Sequence, residues 1–313
     1  MRILVIGAGA LGGYFGACLV RAGRDVTFMV RPRRAAQLAQ TGLQVKSPHG
    51  DFAVQAKTIS PEAIREPFDL ILLGVKSYSL DEAMEQFAPA VGPGTAILPV
   101  LNGMGHIDRL TARFGGGHVL GGVANISAGL DGDGRVIQFI PIHDLIFGEV
   151  AGGTTERIRA LEAVLGGAGF DARASESVMH NMWEKFAQLG LGAGITCLMR
   201  ASLGDILAAP GGREAMFALY EECRAVAAAA GFPPRPTTVE FAHKLITTEG
   251  SPVKWSMLRD IERGSTTEGE DILGDMVARA RGMGVATPIL DLARTHVAAY
   301  EIARAKVAQQ PAG

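Results

Sequence analysis

The spacing of hydrophobic and polar positions changes character just past the middle of the chain. Up to about residue 174 there are short apolar runs separated by glycine-rich turns and amphipathic stretches. The runs Ile3–Ile6, Asp25–Val30, Phe68–Val75 and Thr95–Leu101 are nearly unbroken, as expected for strands buried on both faces of a parallel sheet. Helical periods lie between them at Tyr14–Ala22 and Asp81–Ala90, and Ser60-Pro61 reads as an N-cap followed by a first helical residue. Alternation around His49-Gly50-Asp51 predicts a small hairpin over Gly42–Thr58.

From Val119 two short runs flank Asp131-Gly132-Asp133-Gly134. A turn that short cannot make a parallel crossover, so the sheet is expected to continue with antiparallel strands. Leu145–Val150 reads as a further strand, His143-Asp144 as loop, Thr154–Gly166 as a helix and Gly169–Ala174 as an edge strand. Beyond Ser175 helical patterns take over: Val178–Cys197, Gly204–Leu207, Gly212–Ala230, Thr237–Thr248, Ser256–Arg263, Thr267–Met283 and Ile289–Lys306. The pattern therefore predicts an α/β N-terminal Rossmann-like dinucleotide-binding domain, residues 1–174, and an all-α C-terminal domain, residues 175–313.

The first strand runs directly into Gly7-Ala8-Gly9-Ala10-Leu11-Gly12, a G-x-G-x-x-G spacing that opens a helix. Gly7 permits the tight turn, Gly9 lets a pyrophosphate approach the backbone, and Gly12 lets helix and strand pack closely. The helix N-terminus then offers N–H groups to the phosphates. Strand two ends at Arg31, with Arg33 and Arg34 following and no Asp or Glu between Val26 and Ala39. An arginine at that place suits the 2′-phosphate of NADP, where an acidic residue would suit the ribose of NAD. Lys76 and Asn102 follow the next two buried strands and are expected at the same crevice, beyond the carboxyl ends of the sheet.

With 313 residues, 48% of them hydrophobic, the chain can bury a large core, and its net charge of −2 gives no electrostatic case for nucleic acid or an anionic membrane. No apolar stretch is long enough to span a bilayer. Cys18, Cys197 and Cys223 show neither metal nor disulfide spacing, which fits a reducing cytoplasm. A homo-oligomer is allowed by the sequence.

In the helical half, Met182-Trp183-Glu184-Lys185-Phe186 places a lysine in a helix too apolar for a surface element. Such an ammonium could stabilise and protonate the oxygen of a ketone that accepts hydride.

Taken together, GAGALG at the start, Val75-Lys76, Leu101-Asn102-Gly103, Trp183-Glu184-Lys185, SMLRDIE from Ser256 and TEGEDILG from Thr267 resemble the ketopantoate reductase (2-dehydropantoate 2-reductase) family. The resemblance runs along nearly the whole chain. It implies NADPH-dependent reduction of a small-molecule 2-keto acid, by default 2-dehydropantoate to pantoate. It gives Gly7–Gly12 to the pyrophosphate, Arg31 to the 2′-phosphate, and Lys76, Asn102 and Ala128 to the nucleotide or nicotinamide. Lys185 would be the general acid. Ser256 would bind substrate beside Lys185 and Asn102, and Glu268 would lie where cofactor and substrate meet. The family's asparagines after the catalytic lysine are missing, however, with Leu189, Ala193 and Leu203 in their places. Two further readings follow from that loss: reduction of a less polar ketone or 2-oxo acid, and a non-catalytic NADP(H)-binding sensor.

Overall fold

A computed structural model describes residues 1–309. By their internal contacts these fall into two compact units: Met1–Leu101 with His106–Asn181, and Asn102–Gly105 with the chain from Met182 onward. The chain passes from the first to the second inside one long helix.

The first unit begins with β1 (Arg2–Ile6), α1 (Ala10–Arg21), β2 (Asp25–Met29), α2 (Pro32–Thr41), β3 (Leu43–Lys46), β4 (Phe52–Val54) and β5 (Thr58–Ile59). It continues with β6 (Leu70–Leu73), α3 (Leu80–Phe87), β7 (Ala96–Pro99), α4 (Gly105–Phe114), β8 (Leu120–Leu130), β9 (Val136–Glu149), α5 (Glu156–Leu165) and β10 (Asp171–Ala174). A parallel sheet has the order β5-β2-β1-β6-β7. Its central strands carry wholly apolar, buried segments such as Ile3–Ile6 and Leu70–Leu73, because helices cover both faces. The chain leaves β1 toward β2 on one side and returns on the other as β6, so a crevice opens beyond the carboxyl end of β1.

The expectation that the later strands continue this sheet is corrected. β8 and β9 form an antiparallel pair in a second sheet of order β10-β9-β3-β4, to which the hairpin β3–β4 also belongs. An isolated bridge, Ile97 to Val119, reaches back to β7. Leu145–Val150 is not a separate strand but the second half of β9. His143 and Asp144, expected in a loop, lie within it: Nδ1 of His143 is 2.7 Å from the Tyr14 hydroxyl, and Asp144 pairs with Arg173 at 3.0 Å. Long-range pairing and these side-chain partners, none of them visible in local periodicity, keep that stretch extended.

The second unit is helical: α6 (Val178–Met199), α7 (Leu203–Ala208), α8 (Gly212–Ala229), α9 (Pro236–Ile246), α10 (Ser256–Glu262), a π-helical turn at Glu270–Gly274, α11 (Asp275–Gly282) and α12 (Pro288–Gln309). From Met182 to Cys197, α6 is buried on nearly every side. Three glycines spaced along it admit close neighbours: Met276 and Cys223 at Gly190, Trp255 at Gly192, and Leu219 at Gly194. No helix among the described residues is long and apolar enough to cross a membrane.

Candidate active site

The glycine loop is built by close approach of backbone segments. Gly7 adopts φ +86°, in the left-handed region, and its N–H donates to the Met29 carbonyl at 3.0 Å, tying the loop to β2. A Cβ on Gly12 would lie 2.2 Å from the Gly7 carbonyl oxygen, whereas one on Gly9 would meet nothing within 4 Å. The loop is thus tight beneath and open at Gly9, the N-cap of α1, whose first N–H groups offer an anion site. This open cradle fits the pyrophosphate of a dinucleotide.

Arg31 is the N-cap of α2, and its guanidinium donates to Glu82 at 3.1 Å with both side chains well exposed. Such a surface pair is weak and yields readily to a phosphate. Arg34 is nearer the loop than its place in the sequence suggests: its Nη2 donates to the Ala8 carbonyl at 3.1 Å, and its buried Nε has no hydrogen-bond partner. Burial lowers the pKa of this arginine. Its position one turn into α2 is the only signal of this that the sequence carries. Lys76 stands exposed three residues past β6, and Ala128 lies in β8 opposite Gln138, beside a bulge.

Lys185 keeps some accessible surface, yet the protein packed around its ammonium removes enough hydration to push its pKa down to about 8, against the raising influence of the Glu268 carboxylate. Glu268 is buried. It lies two residues before the π-helical turn, and its carbonyl accepts from the Ile272 N–H at 3.0 Å. Around it, the Thr267 N–H donates to Glu301 of α12 at 2.7 Å, and a Cβ on Gly269 would lie 2.4 Å from Val297. The irregular turn thus holds a carboxylate in the interior, as such turns often do at functional sites.

Asn102 follows β7 in sequence but groups with the second unit, where a Cβ on the next residue, Gly103, would come within 2.6 Å of the Asp271 carbonyl oxygen. Ser256 opens α10 and is exposed. Leu189, Ala193 and Leu203 are all buried. The structure therefore brings Lys185, Glu268 and Asn102 into one unit, and Gly7–Gly12 with Arg31 into the other.

Glu184, adjacent to Lys185, carries no signal of its own in the sequence. Burial opposes its ionisation, but Arg235 and Thr238 outweigh this and hold its pKa low. It accepts from the Arg235 N–H at 2.8 Å, from Arg235 Nε at 2.9 Å and from the Thr238 hydroxyl at 2.8 Å, fastening α6 to the start of α9. Glu184→Ala is expected to lower stability by about 2 kcal/mol in urea unfolding, as loss of hydrogen bonds to a buried charge predicts. The three cysteines are buried with raised pKa values, so they remain thiols. Among the described residues no cluster of His, Cys, Asp and Glu could hold a metal.

Fold and site together define a nicotinamide-dinucleotide-dependent oxidoreductase. The ketopantoate reductase PanE/ApbA family matches residues 3–152, and the C-terminal part of the same family matches residues 177–301. The uncharacterized oxidoreductase YkpB of Bacillus subtilis is 37% identical over 96% of this chain and 99% of its own. The 2-dehydropantoate 2-reductase of Pyrococcus abyssi is 30% identical over 92% of this chain and 94% of its own. The crystal structure of the 2-dehydropantoate 2-reductase from Geobacter metallireducens superposes with a TM-score of 0.87 at 32% identity, covering 96% of this chain and 99% of that one. The chain belongs to the ketopantoate reductase family.

Proposed function

We propose that the protein reduces a 2-oxo acid to the 2-hydroxy acid with NADPH, Lys185 supplying the proton, and that 2-dehydropantoate is the family's default substrate. In this reading residues 1–174 hold the nucleotide and residues 175–313, joined by Asn102, hold the substrate. The observation that carries it is the Lys185 ammonium, whose pKa is lowered to about 8 while Glu268 keeps it from falling further. A donor of that pKa is largely protonated at neutral pH and gives up its proton far more readily than a solvated lysine.

When bound, with its pyrophosphate on the Gly7–Gly12 loop, the reduced cofactor would supply a hydride for the carbonyl carbon. As the C=O π pair moves onto oxygen, Lys185 neutralises the growing charge and transfers one proton to it, leaving a neutral amine that water reprotonates. Ser256 and Asn102 orient the substrate, and Glu268 holds Lys185 in its charged form before the transfer. Arg31 and Arg34 support a preference for NADP(H) over NAD(H).

The test is spectrophotometric. Purified protein mixed with NADPH and a panel of 2-oxo acids should consume the reduced nicotinamide, and absence of turnover with every acid would overturn the reading. Arg34→Ala should raise the KM for NADPH about tenfold, in line with loss of a charge-assisted hydrogen bond to phosphate, while leaving the KM for NADH nearly unchanged. Equal effects on both would remove Arg34 from the 2′-phosphate site. The apolar Leu189, Ala193 and Leu203 favour a second reading of the substrate, a 2-oxo acid less polar than ketopantoate.

A further inference from the structure

Lys185, Leu189, Gly192 and Thr196 form one stripe along α6, since steps of four, seven and eleven residues return to nearly the same side of a helix. Trp255 is seated on this stripe. A Cβ on Gly192 would lie 2.1 Å from Cε2, 2.3 Å from Cδ2 and 2.3 Å from Cζ2 of the indole. Near-equal distances to both atoms of the ring-fusion bond mean that the middle of the indole faces the helix backbone. Any side chain other than hydrogen at residue 192 would exclude the ring.

The chain on either side holds the ring there. The Leu203 N–H donates to the Val253 carbonyl at 3.0 Å and the Gly204 N–H to the Ser251 carbonyl at 2.8 Å, so the segment entering Trp255 is clamped to the start of α7. After Trp255 the chain turns directly into α10, and a guanidinium N–H of Arg259 bonds back to the Lys254 carbonyl at 3.1 Å. Trp255 is itself only partly buried, and the residue that follows it is the exposed Ser256. Trp255 thus keeps accessible surface next in sequence to Ser256, the proposed substrate hydroxyl, and its seat at Gly192 lies seven residues, about two turns, along α6 from Lys185.

Nothing polar on the stripe takes the place of the missing asparagines. Leu189 is apolar and buried, and the Thr196 hydroxyl is turned back onto the Gly192 carbonyl at 2.6 Å. A substrate hydroxyl brought against this wall would lose its bonds to water without replacement, which a binding site penalises strongly. A flat apolar group would instead stack on the indole.

We infer that Trp255, seated on Gly192, is the specificity-determining wall of the site, and that the substrate is a 2-oxo acid bearing an aromatic ring. This rests on the reductase reading and deepens it.

Two measurements separate the inference from that reading. In the first, kcat/KM with NADPH is compared for phenylglyoxylate and ketopantoate. The wild-type protein should favour phenylglyoxylate at least tenfold; Trp255→Leu should remove most of this preference through KM, and Trp255→Phe should keep most of it. Preference for ketopantoate, or a ratio unaltered in Trp255→Leu, overturns the inference while leaving the reductase reading intact. In the second, calorimetric titration of the protein saturated with NADP+ compares mandelate with pantoate and needs no turnover. Tighter binding of mandelate that is lost in Trp255→Leu and retained in Trp255→Phe upholds the wall even if no oxo acid is reduced. Failure of mandelate to bind more tightly than pantoate overturns it.

Discussion

Lys185→Ala is expected to lower kcat for 2-oxo acid reduction by about 10²- to 10⁴-fold, the usual contribution of a positioned general acid, with NADPH affinity essentially unchanged. Alanine suits the interior of α6, so the helix should survive, and circular dichroism checks this. Lys185→Arg separates charge from proton donation: it retains a cation but one whose pKa lies too high for ready transfer, and it should recover little of the lost rate.

The pH profile gives the sign independently. Burial places the Lys185 pKa at about 8, so kcat/KM for reduction should be level below that value and fall about tenfold per pH unit above it, where the amine is neutral and has no proton to donate. Glu268→Gln removes the carboxylate that favours the charged ammonium, so the descending limb should move to lower pH. A limb that stays in place in Glu268→Gln would show that Glu268 does not act through Lys185.

Those parts of the site that depend on near neighbours in the chain are legible in its sequence. The Gly7–Gly12 spacing announces its turn because each glycine answers a constraint within a few residues of itself. The helical half is legible because α8 and α12 keep their period over many turns and α6 is an apolar run too long for a strand. The second sheet is not, since β9 pairs with strands as far away in sequence as β3 and carries no mark of its partner. The same limit hides the seat of Trp255. In sequence Gly192 is one of several glycines interrupting an apolar helix, and only the fold reveals which neighbour fills the space. Arg34 is overshadowed by Arg31 for a related reason: the first arginine after a strand is conspicuous in sequence, but the reach of a side chain over a loop depends on the turn of α2 that carries it.

Gly12→Ala and Gly9→Ala should both impair dinucleotide binding, yet for different reasons that two measurements can separate. At Gly12 the added methyl would stand 2.2 Å from the Gly7 carbonyl oxygen and 3.3 Å from Val5 Cγ1. Gly74 also packs closely here, since a Cβ on it would be 2.7 Å from the Gly12 nitrogen, so α1 already sits tightly on the ends of β1 and β6. Either α1 lifts from β1 or the loop at Gly7 deforms. Overpacking of this kind costs about 1–3 kcal/mol, so the melting temperature should fall along with binding, the latter by about 10- to 100-fold. At Gly9 the methyl would meet nothing within 4 Å in the protein itself, and stability should be unaffected. It would, however, occupy the space through which a pyrophosphate reaches the N–H groups of α1, and affinity alone should fall. Fluorescence titration with NADPH and thermal melting of both variants check this. Tight binding by Gly9→Ala would mean that the phosphates do not rest on this loop.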